Sequence, residues 1–336
     1  MAVGYRTSDS IDFNEIWYGL ISVVDQYQTV SLPFLESLAM RQGRQIMKYA
    51  ISESNGFQRL GPGERPDRKL VTIATMYPFV EKFGYGVGTD LDTMRMGAAR
   101  DIMLDIARPV KEDPEHVLIQ MLKTMMLDPG TNNQRYGWWN GEFAPEELIT
   151  APPRFQQNAF SSGHTHYLTS VSPGAISLAD FNAVKQTIKH HGYMGSIIAF
   201  INSREVQALE DLAAFTQSSI IRSGISDQVA ISGLSGVFQM GGVTFHPTEM
   251  MPAGYMLFVE AGGMESDRPL IMFEPEGMSG LNLFPGPIQD YPLVESFYER
   301  WMGFKVWRRG AGVALQINTP DSPGVYDDPT FVELGV

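Results

Sequence analysis

The residues of this chain whose type and spacing could do chemistry are its six histidines: His116, His164, His166, His190, His191 and His246. His164 and His166 are one residue apart, and a β-strand would place both imidazoles on one face, where they could chelate a metal ion. Because no carboxylate lies at a spacing typical of metal ligands, the sequence favours an ordinary structural role. His190 and His191 end a helix pattern, where an imidazolium would complement the helix dipole. We therefore predict no metal site and keep a histidine-metal enzyme as a less favoured alternative.

Other common signatures of catalysis are missing from the sequence. The chain has zero cysteines, which excludes disulfides, thiolate zinc sites and cysteine nucleophiles. It has neither a Gly-x-Ser-x-Gly elbow nor a phosphate-binding loop that ends in Gly-Lys-Ser/Thr. We predict that the protein is not an enzyme, uses no cofactor and has a structural role.

The overall charge of the chain limits the classes of partner that it can bind. Among 336 residues, 38 are acidic and 25 are basic, which gives a formal net charge of -13. This balance argues against a surface that grips nucleic-acid phosphates. The sequence shows neither a signal-peptide pattern at its start nor a run of 18 apolar residues, so we expect a soluble protein made inside the cell, with no membrane partner.

The first helix pattern begins after Asp12, which can act as N-cap with Glu15 three residues later. Apolar side chains then recur at helical spacing: Phe13, Ile16, Trp17, Leu20, Ile21, Val24 and Tyr27. This face can pack on the protein's own core, or its aromatic stripe can pack on a neighbouring subunit. The sequence leaves both alternatives open.

Residues 52–69 are rich in glycine, proline and charge, and they lie between strand-like segments at 44–51 and 70–75. The pattern predicts a two-stranded arm with a loop at its tip. Four basic side chains there outnumber Glu64 and Asp67: Arg59, Arg65, Arg68 and Lys69. A positive tip on an acidic protein suits an acidic partner, and the alternative is an ordinary solvated hairpin.

The longest helix signal runs from Thr89 to Pro129. Thr89 can cap a first helix, whose apolar residues follow helical spacing until Pro109 ends it. Asp113 and Pro114 can start a second helix, whose apolar face continues to residue 126. The sequence predicts two helices that meet at a break over 109–113.

Residues 132–162 show no sustained period and predict an irregular connection. Trp138 and Trp139 within it could form a stacking platform for a sugar or a base. Because basic residues do not interleave with them, we expect them to anchor this connection on the core.

The second half of the chain alternates helix and strand signals. Ser177 and Asp180 predict a capping box before a helix that ends at 190–192, and Asn202 predicts the cap of another helix. Residues 233–242 are interpreted as a glycine-rich loop. Strands are predicted at 196–201, 243–246, 255–260, 269–273, 291–301 and 304–317. The order of elements predicts an α+β fold.

Several motifs in this half resemble the Hong-Kong-97-type major capsid proteins of tailed bacteriophages, and most closely those of long-tailed, siphovirus-like phages. The motifs are Gly163-His-Thr-His-Tyr-Leu168, His190-His-Gly-Tyr193 with the following residues 198–202, Pro252-Ala-Gly-Tyr255, and 290–298 leading to Arg308-Arg-Gly-Ala-Gly312. The first half of the chain agrees in architecture only.

The resemblance implies a division of the chain. An N-terminal arm and helix would occupy 1–47, and an extended β-hairpin loop would occupy 48–76. A peripheral domain would comprise 77–176 and 264–336, with a spine helix at 90–108, and an axial domain would comprise 177–263. Contacts between subunits would involve Arg59, Arg65, Arg68 and Lys69 of the extended loop, and Phe13, Trp17 and Tyr27 of the arm.

The resemblance also implies a function. The chain would self-assemble into pentamers and hexamers of an icosahedral shell that encloses packaged double-stranded DNA without sequence-specific binding. Its partners would include a separate scaffolding protein, a portal protein and a decoration protein, with assembly in the host cytoplasm and a final place in the virion. We expect that assembly removes no N-terminal segment. The sequence shows no motif that matches the covalent lysine-asparagine cross-link known in this family. The alternative within this fold is the shell of an encapsulin-type bacterial nanocompartment.

Overall fold

The computed structural model describes residues 6–30, 33–43, 47–51, 72–76, 80–128, 137–140, 160–161, 163–172, 174–212, 221–223, 237–240, 242–261, 268–285, 293–317 and 324–331. The helices are α1 (Phe13–Val30), α2 (Pro33–Leu38), α3 (Leu91–Met96), α4 (Ala99–Ile106), α5 (Arg108–Met126), α6 (Leu178–Lys189) and α7 (Val206–Glu210). The strands are β1 (Ala39–Gln42), β2 (Met47–Ile51), β3 (Thr72–Met76), β4 (Glu81–Asp90), β5 (Tyr167–Thr169), β6 (Ser196–Ile201), β7 (Ile221–Ser223), β8 (Val237–Met240), β9 (Val243–Pro247), β10 (Tyr255–Ala261), β11 (Leu270–Phe273), β12 (Leu281–Pro285), β13 (Leu293–Val306) and β14 (Gly312–Gln316). No helix in these ranges is long and apolar enough to cross a membrane.

Seven strands form the larger sheet, in the order β5-β14-β10-β6-β9-β8-β7. β10 lies antiparallel between β14 and β6, and β9 pairs in parallel with β6. Met256 and Phe258 of β10 pack in one core with α6, while Leu257 and Val259 pack in another with α5. Helices therefore cover both faces of this sheet, as the almost continuous apolar run of β6 predicts.

The second sheet contains β1, β4, β11, β12 and β13. β13 is its longest strand and pairs antiparallel with β4, β11 and β12. Met302, Phe304 and Val306 point from one face of β13 into the core that α5 also occupies. Because α5 shares that core with both sheets, it joins them into one body.

Helix α1 confirms the predicted amphipathic helix. The backbone N–H of Glu15 donates to the carbonyl of Asp12 at 3.0 Å, which starts the first turn. Ile16, Leu20 and Val24 are buried in a core that α1 shares with α4, β12 and β13. Ile16, Leu20 and Val24 thus pack on the protein's own core. The side chains of Phe13 and Trp17 are not among those that the structure describes, so a contact of the aromatic stripe with a neighbouring subunit stays a prediction.

The helices after β4 differ from the prediction. Thr89 belongs to β4 instead of capping a helix. The helix predicted at 90–108 is interrupted at Gly97 and Ala98, because Ala98 is extended with φ -76° and ψ 144°. The break predicted at 109–113 is also wrong, since α5 runs through those residues to Met126.

The physical reasons lie in contacts that a local pattern does not contain. Both carboxylate oxygens of Asp9 accept from the backbone N–H of Ala99, at 3.2 and 3.3 Å, so a distant residue caps α4. Pro109 stands in the first turn of α5, where its missing N–H costs nothing. Pro114 lies inside α5, and the burial of the apolar face from Val117 onward offsets the lost hydrogen bond.

The predicted caps of the second half are confirmed. The Ser177 hydroxyl accepts from the backbone N–H of Asp180, whose carboxylate accepts from the backbone N–H of Ser177 at 2.8 Å. The side chain of Asn202 accepts from the backbone N–H of Arg204 at 3.0 Å. The glycine-rich loop predicted at 233–242 is wrong in part, because Val237–Met240 pairs with β9 as strand β8.

β2 and β3 pair antiparallel, with Met47 opposite Met76 and Ile51 opposite Thr72. This pairing confirms the base of the predicted two-stranded arm. The residues that connect the two strands, 52–71, lie outside the described ranges.

Candidate functional site

Three histidines meet at one point, and we call His164, His166 and His191 the histidine triangle. The Nε2 atom of His164 lies 2.8 Å from Nε2 of His191 and 3.1 Å from Nε2 of His166. The Nε2 atoms of His166 and His191 are 3.0 Å apart, which closes the triangle. His190 lies beside it, with a ring nitrogen within 4.8 Å of ring nitrogens of His164 and His191. The structure thus joins two histidine pairs that lie apart in the sequence.

Separate elements position the triangle. His164 and His166 immediately precede β5, and the backbone N–H of His166 donates to the carbonyl of Trp139 at 2.7 Å. His191 follows the C-terminus of α6. A Cβ atom at Gly310 would lie 2.9 Å from Cγ of His191, so a glycine is needed where the turn before β14 approaches this ring.

Phe160 covers the cluster on another side. Its ring stacks on His191 with centroids 4.1 Å apart and planes 19° apart. The same ring lies 5.0 Å from His164 and 5.1 Å from His190, centroid to centroid. An apolar ring at this position limits the access of water to the histidines.

Burial keeps these imidazoles neutral near pH 7. Burial, followed by the nearby imidazole of His190, lowers the pKa of His164 to about 4. Burial, followed by the imidazoles of His190 and His164, lowers the pKa of His191 to about 3. Burial, followed by the proximity of His191, lowers the pKa of His166 well below its ordinary value. Burial also lowers the pKa of His190. The interpretation of His190 and His191 as imidazolium groups that complement the helix dipole is therefore wrong.

A backbone carbonyl fixes the tautomer of His166. Its Nδ1 atom lies 2.6 Å from the carbonyl oxygen of Gly312, which can only accept a hydrogen bond. Nδ1 of the neutral ring therefore carries the proton, and Nε2 directs a lone pair into the triangle. Neutral imidazole with one ring nitrogen bound to a carbonyl is how proteins present histidine to metal ions.

A second polar cluster is buried between α1, α5 and β13. Arg300 is ion-paired with Asp113, and the other terminal nitrogen of its guanidinium lies 3.3 Å from Oε1 of Glu274. The Tyr27 hydroxyl donates to Oδ2 of Asp113 at 2.7 Å. Burial and this carboxylate raise the pKa of Tyr27. The cluster fixes the first helix to the core and gives no sign of a reaction site.

The outer face of the second sheet is open and carries two exposed aromatic rings beside Glu295 and Glu299, and we call it the glycine face. Gly84, Gly86 and Gly88 alternate along β4 on the side that Phe297 of β13 occupies. Phe284 of β12 lies directly opposite Phe297, and the two are 44% and 43% exposed. Exposed aromatic rings beside strand positions that lack side chains are typical of a surface that another protein covers.

The structure places only part of the predicted contact residues. Arg59, Arg65, Arg68 and Lys69 of the extended loop lie outside the described ranges. Their role therefore stays a prediction.

Among the arm residues, Phe13 and Trp17 belong to helix α1. The structure describes their backbone but not their side chains, so their contacts stay a prediction. Tyr27 contacts Asp113 of its own chain.

Trp138 lies in the core, as expected, whereas Trp139 is half-buried beside Arg309. Trp138 is fully buried among apolar residues, and the guanidinium of Arg309 lies 4.1 Å from the ring centroid of Trp139. Their anchoring role is confirmed for Trp138 by its burial. The alternative of a stacking platform is wrong for this ring.

Protein-family models and curated protein sequences give no match to this chain. Solved structures do match. The chain is similar to a structure of Mycobacterium phage Patience with 19% identity and a TM-score of 0.64, over 96% of this chain and 92% of that chain. It is similar to the capsid of a native GTA particle with 11% identity and a TM-score of 0.53, over 86% of this chain and 91% of that one. It is also similar to the holo-SrpI encapsulin complex from Synechococcus elongatus PCC 7942, with 11% identity and a TM-score of 0.51, over 90% of this chain and 92% of that chain.

These similarities define the class of protein by its fold. The chain has the Hong-Kong-97-type fold that phage capsid and encapsulin shell proteins share, and the α+β prediction is confirmed. The sequence motifs indicated a resemblance to the major capsid protein of a tailed phage. That resemblance is confirmed at the level of the fold.

Proposed function

We propose that this chain is the major capsid protein of a tailed, siphovirus-like phage. It self-assembles into pentamers and hexamers of an icosahedral shell that encloses packaged double-stranded DNA. The observation that carries this proposal is the similarity of fold to a phage structure over 96% of the chain, with a TM-score of 0.64. Because so much of the chain takes part, little of it is left for an unrelated activity.

The exposed apolar surface supports assembly. The glycine face presents two phenylalanine rings and a strip of bare backbone, which a neighbouring subunit can approach closely. On α1, Tyr18 and Ile21 are exposed, outside the buried group of Ile16, Leu20 and Val24. Obligate assemblies bury a few thousand Å² per interface, and such surfaces supply the apolar part of it.

The charge of the chain supports enclosure of DNA rather than specific binding. A formal charge of -13 repels the phosphate backbone on average, so a packaged genome would not adhere to the shell. The basic residues of the extended loop would instead meet acidic surface on a neighbouring subunit. Such complementary charges set orientation and register more than affinity.

The domains follow the division that the resemblance implies. The antiparallel pair β2 and β3 supports an extended loop over 48–76 that reaches a neighbouring subunit. Residues 1–47 form the arm, and 77–176 with 264–336 form the peripheral domain, whose spine at 90–108 corresponds to α3 and α4. Residues 177–263 form the axial domain at the five-fold and six-fold axes. A scaffolding protein, a portal protein and a decoration protein are the partners of this shell in the host cytoplasm and the virion.

An encapsulin-type nanocompartment is the second candidate, because the fold also matches the SrpI encapsulin complex with a TM-score of 0.51. The contents of native particles separate the two functions. Particles purified from cells that carry the gene in its natural surroundings should hold nuclease-protected DNA of genome length and a portal protein. Particles that hold a cargo enzyme and no DNA would favour the nanocompartment, and sedimentation of the chain as a monomer alone would contradict both.

A further inference from the structure

The histidine triangle has a hydrogen-bonding problem that protein atoms cannot solve. An imidazole Nε2 atom has either one hydrogen or one lone pair in the plane of the ring, so it engages one partner well. Three such atoms lie 2.8 to 3.1 Å from one another. At most one of the three close pairs can then be a well-directed hydrogen bond, and at least one pair must set two lone pairs or two hydrogens together.

A cation removes this conflict, because it accepts the lone pairs of all three nitrogens at once. His166 is already in the tautomer that a metal needs, since its Nδ1–H donates to the carbonyl of Gly312 at 2.6 Å. We propose that His164, His166 and His191 bind one Zn²⁺ ion through their Nε2 atoms, as a structural metal site. This differs from the prediction of no metal site, and it does not depend on whether the chain forms a shell.

The dimensions and the ligand chemistry fit zinc. Tetrahedral zinc with Zn–N distances near 2.0 to 2.1 Å holds its nitrogens about 3.3 Å apart, so the triangle needs to open by only a few tenths of an ångström. Imidazole is a preferred zinc ligand, and a chain with zero cysteines has no thiolate to compete for the ion. His190, with a ring nitrogen within 4.8 Å, or a water molecule would complete the fourth position.

The position of the site indicates what the ion would do. His164 and His166 precede β5, an edge strand of the larger sheet, while His191 follows α6, which packs on that sheet. The carbonyl that orients His166 belongs to Gly312 of β14. One ion would therefore fasten the end of α6 to the sheet edge and stabilise the folded chain by mass action.

Calorimetric titration of the untagged, chelator-treated chain with ZnCl₂ tests the proposal, because a polyhistidine tag would bind zinc itself. We expect one zinc per chain and a rise in Tm of about 3 °C or more at saturation. The variants His164→Gln and His191→Gln should lose at least about tenfold in affinity. The matched control His116→Gln removes an imidazole of α5 that packs against Phe83 of β4, and this variant should bind zinc like the wild type.

Co²⁺ bound to the wild-type chain gives a second readout, which does not require any variant to fold. A visible absorption band of four-coordinate Co²⁺ that saturates at one equivalent supports the site. Absence of stoichiometric zinc binding, absence of that band, or unchanged affinity in both folded histidine variants would overturn the proposal.

Discussion

Arg300 of β13 is ion-paired with Asp113 of α5 in the protein interior, where 4% and 5% of the two side chains are exposed. A buried ion pair is costly to form, but removing one partner is more costly, because the other charge stays buried. Glu274, 3.3 Å from the guanidinium, and Tyr27, hydrogen-bonded to Asp113, complete the surroundings of the pair. The pair thus joins α5, in the first half of the chain, to β13, near the C-terminal end of the chain.

The substitution Asp113→Ala should lower the free energy of unfolding by about 3 to 5 kcal/mol, since it leaves the guanidinium of Arg300 buried without its nearest carboxylate. Urea denaturation followed by circular dichroism measures this loss. Glu112→Ala, the adjacent residue in α5, is the control, because its partner Arg108 is solvent-exposed and the pair should contribute little. Equal losses in the two variants would show that the buried pair does not hold α5 on the sheet.

Gly312→Ala should also destabilise the fold. A Cβ atom there would overlap Cζ2 of the fully buried Trp138, and overpacking of this kind costs about 1 to 3 kcal/mol. Urea unfolding followed by tryptophan fluorescence reports both the loss and any shift of the ring. Gly84→Ala is the matched control, since its nearest neighbour would be an ordinary 3.8 Å away, and a variant of Gly312 as stable as that control would refute the packing argument.

The glycine face predicts a separation of assembly from folding. Replacing Phe284 and Phe297 together by serine should reduce the yield of shells several-fold and leave the thermal unfolding of the monomer almost unchanged, because both rings are exposed in the single chain. Size-exclusion chromatography and differential scanning calorimetry measure the two effects. Val325→Ser, another exposed apolar residue, is the control, and normal shell yield from the double variant would exclude this face as an interface.

The extended loop makes a charge-dependent prediction. Changing Arg65, Arg68 and Lys69 to glutamate should impair shell formation while the monomer stays folded, because an acidic tip repels the acidic surface of a neighbouring subunit. Electron microscopy counts the shells, and circular dichroism checks the fold. A control with the same change of charge reverses the exposed residues Arg100, Lys111 and Lys189. If the loop variant assembles as well as the wild type, the loop does not make this contact.

The sequence predicted elements well where local signals decide them. The capping box of Ser177 and Asp180 starts α6, and the apolar run of β6 forms a central strand. Both depend on neighbours within a few residues. The same holds for the antiparallel base of the arm formed by β2 and β3.

The failures arise where distant residues decide the structure. Proline at 114 argued for a helix start, yet the burial of Asp113 against Arg300 and of the apolar face beyond it keeps α5 continuous. The start of α4 depends on Asp9, 90 residues away. No local pattern contains either contact.

The histidine triangle was missed for a related reason. The sequence showed His164 and His166 as one pair and His190 and His191 as another, and each pair by itself has an ordinary explanation. The available signal for a shared site was that one pair precedes a strand and the other follows a helix of the same subdomain. Only the packing of α6 on the sheet shows that His191 meets the first pair.

Electron microscopy of the purified, untagged 336-residue chain at high concentration tests the central claim most directly. The account predicts closed icosahedral shells whose reconstruction contains pentamers and hexamers, with the β2–β3 arm of each subunit lying on a neighbour. A chain that stays monomeric and folded at high concentration, both alone and together with the scaffolding protein, would contradict it.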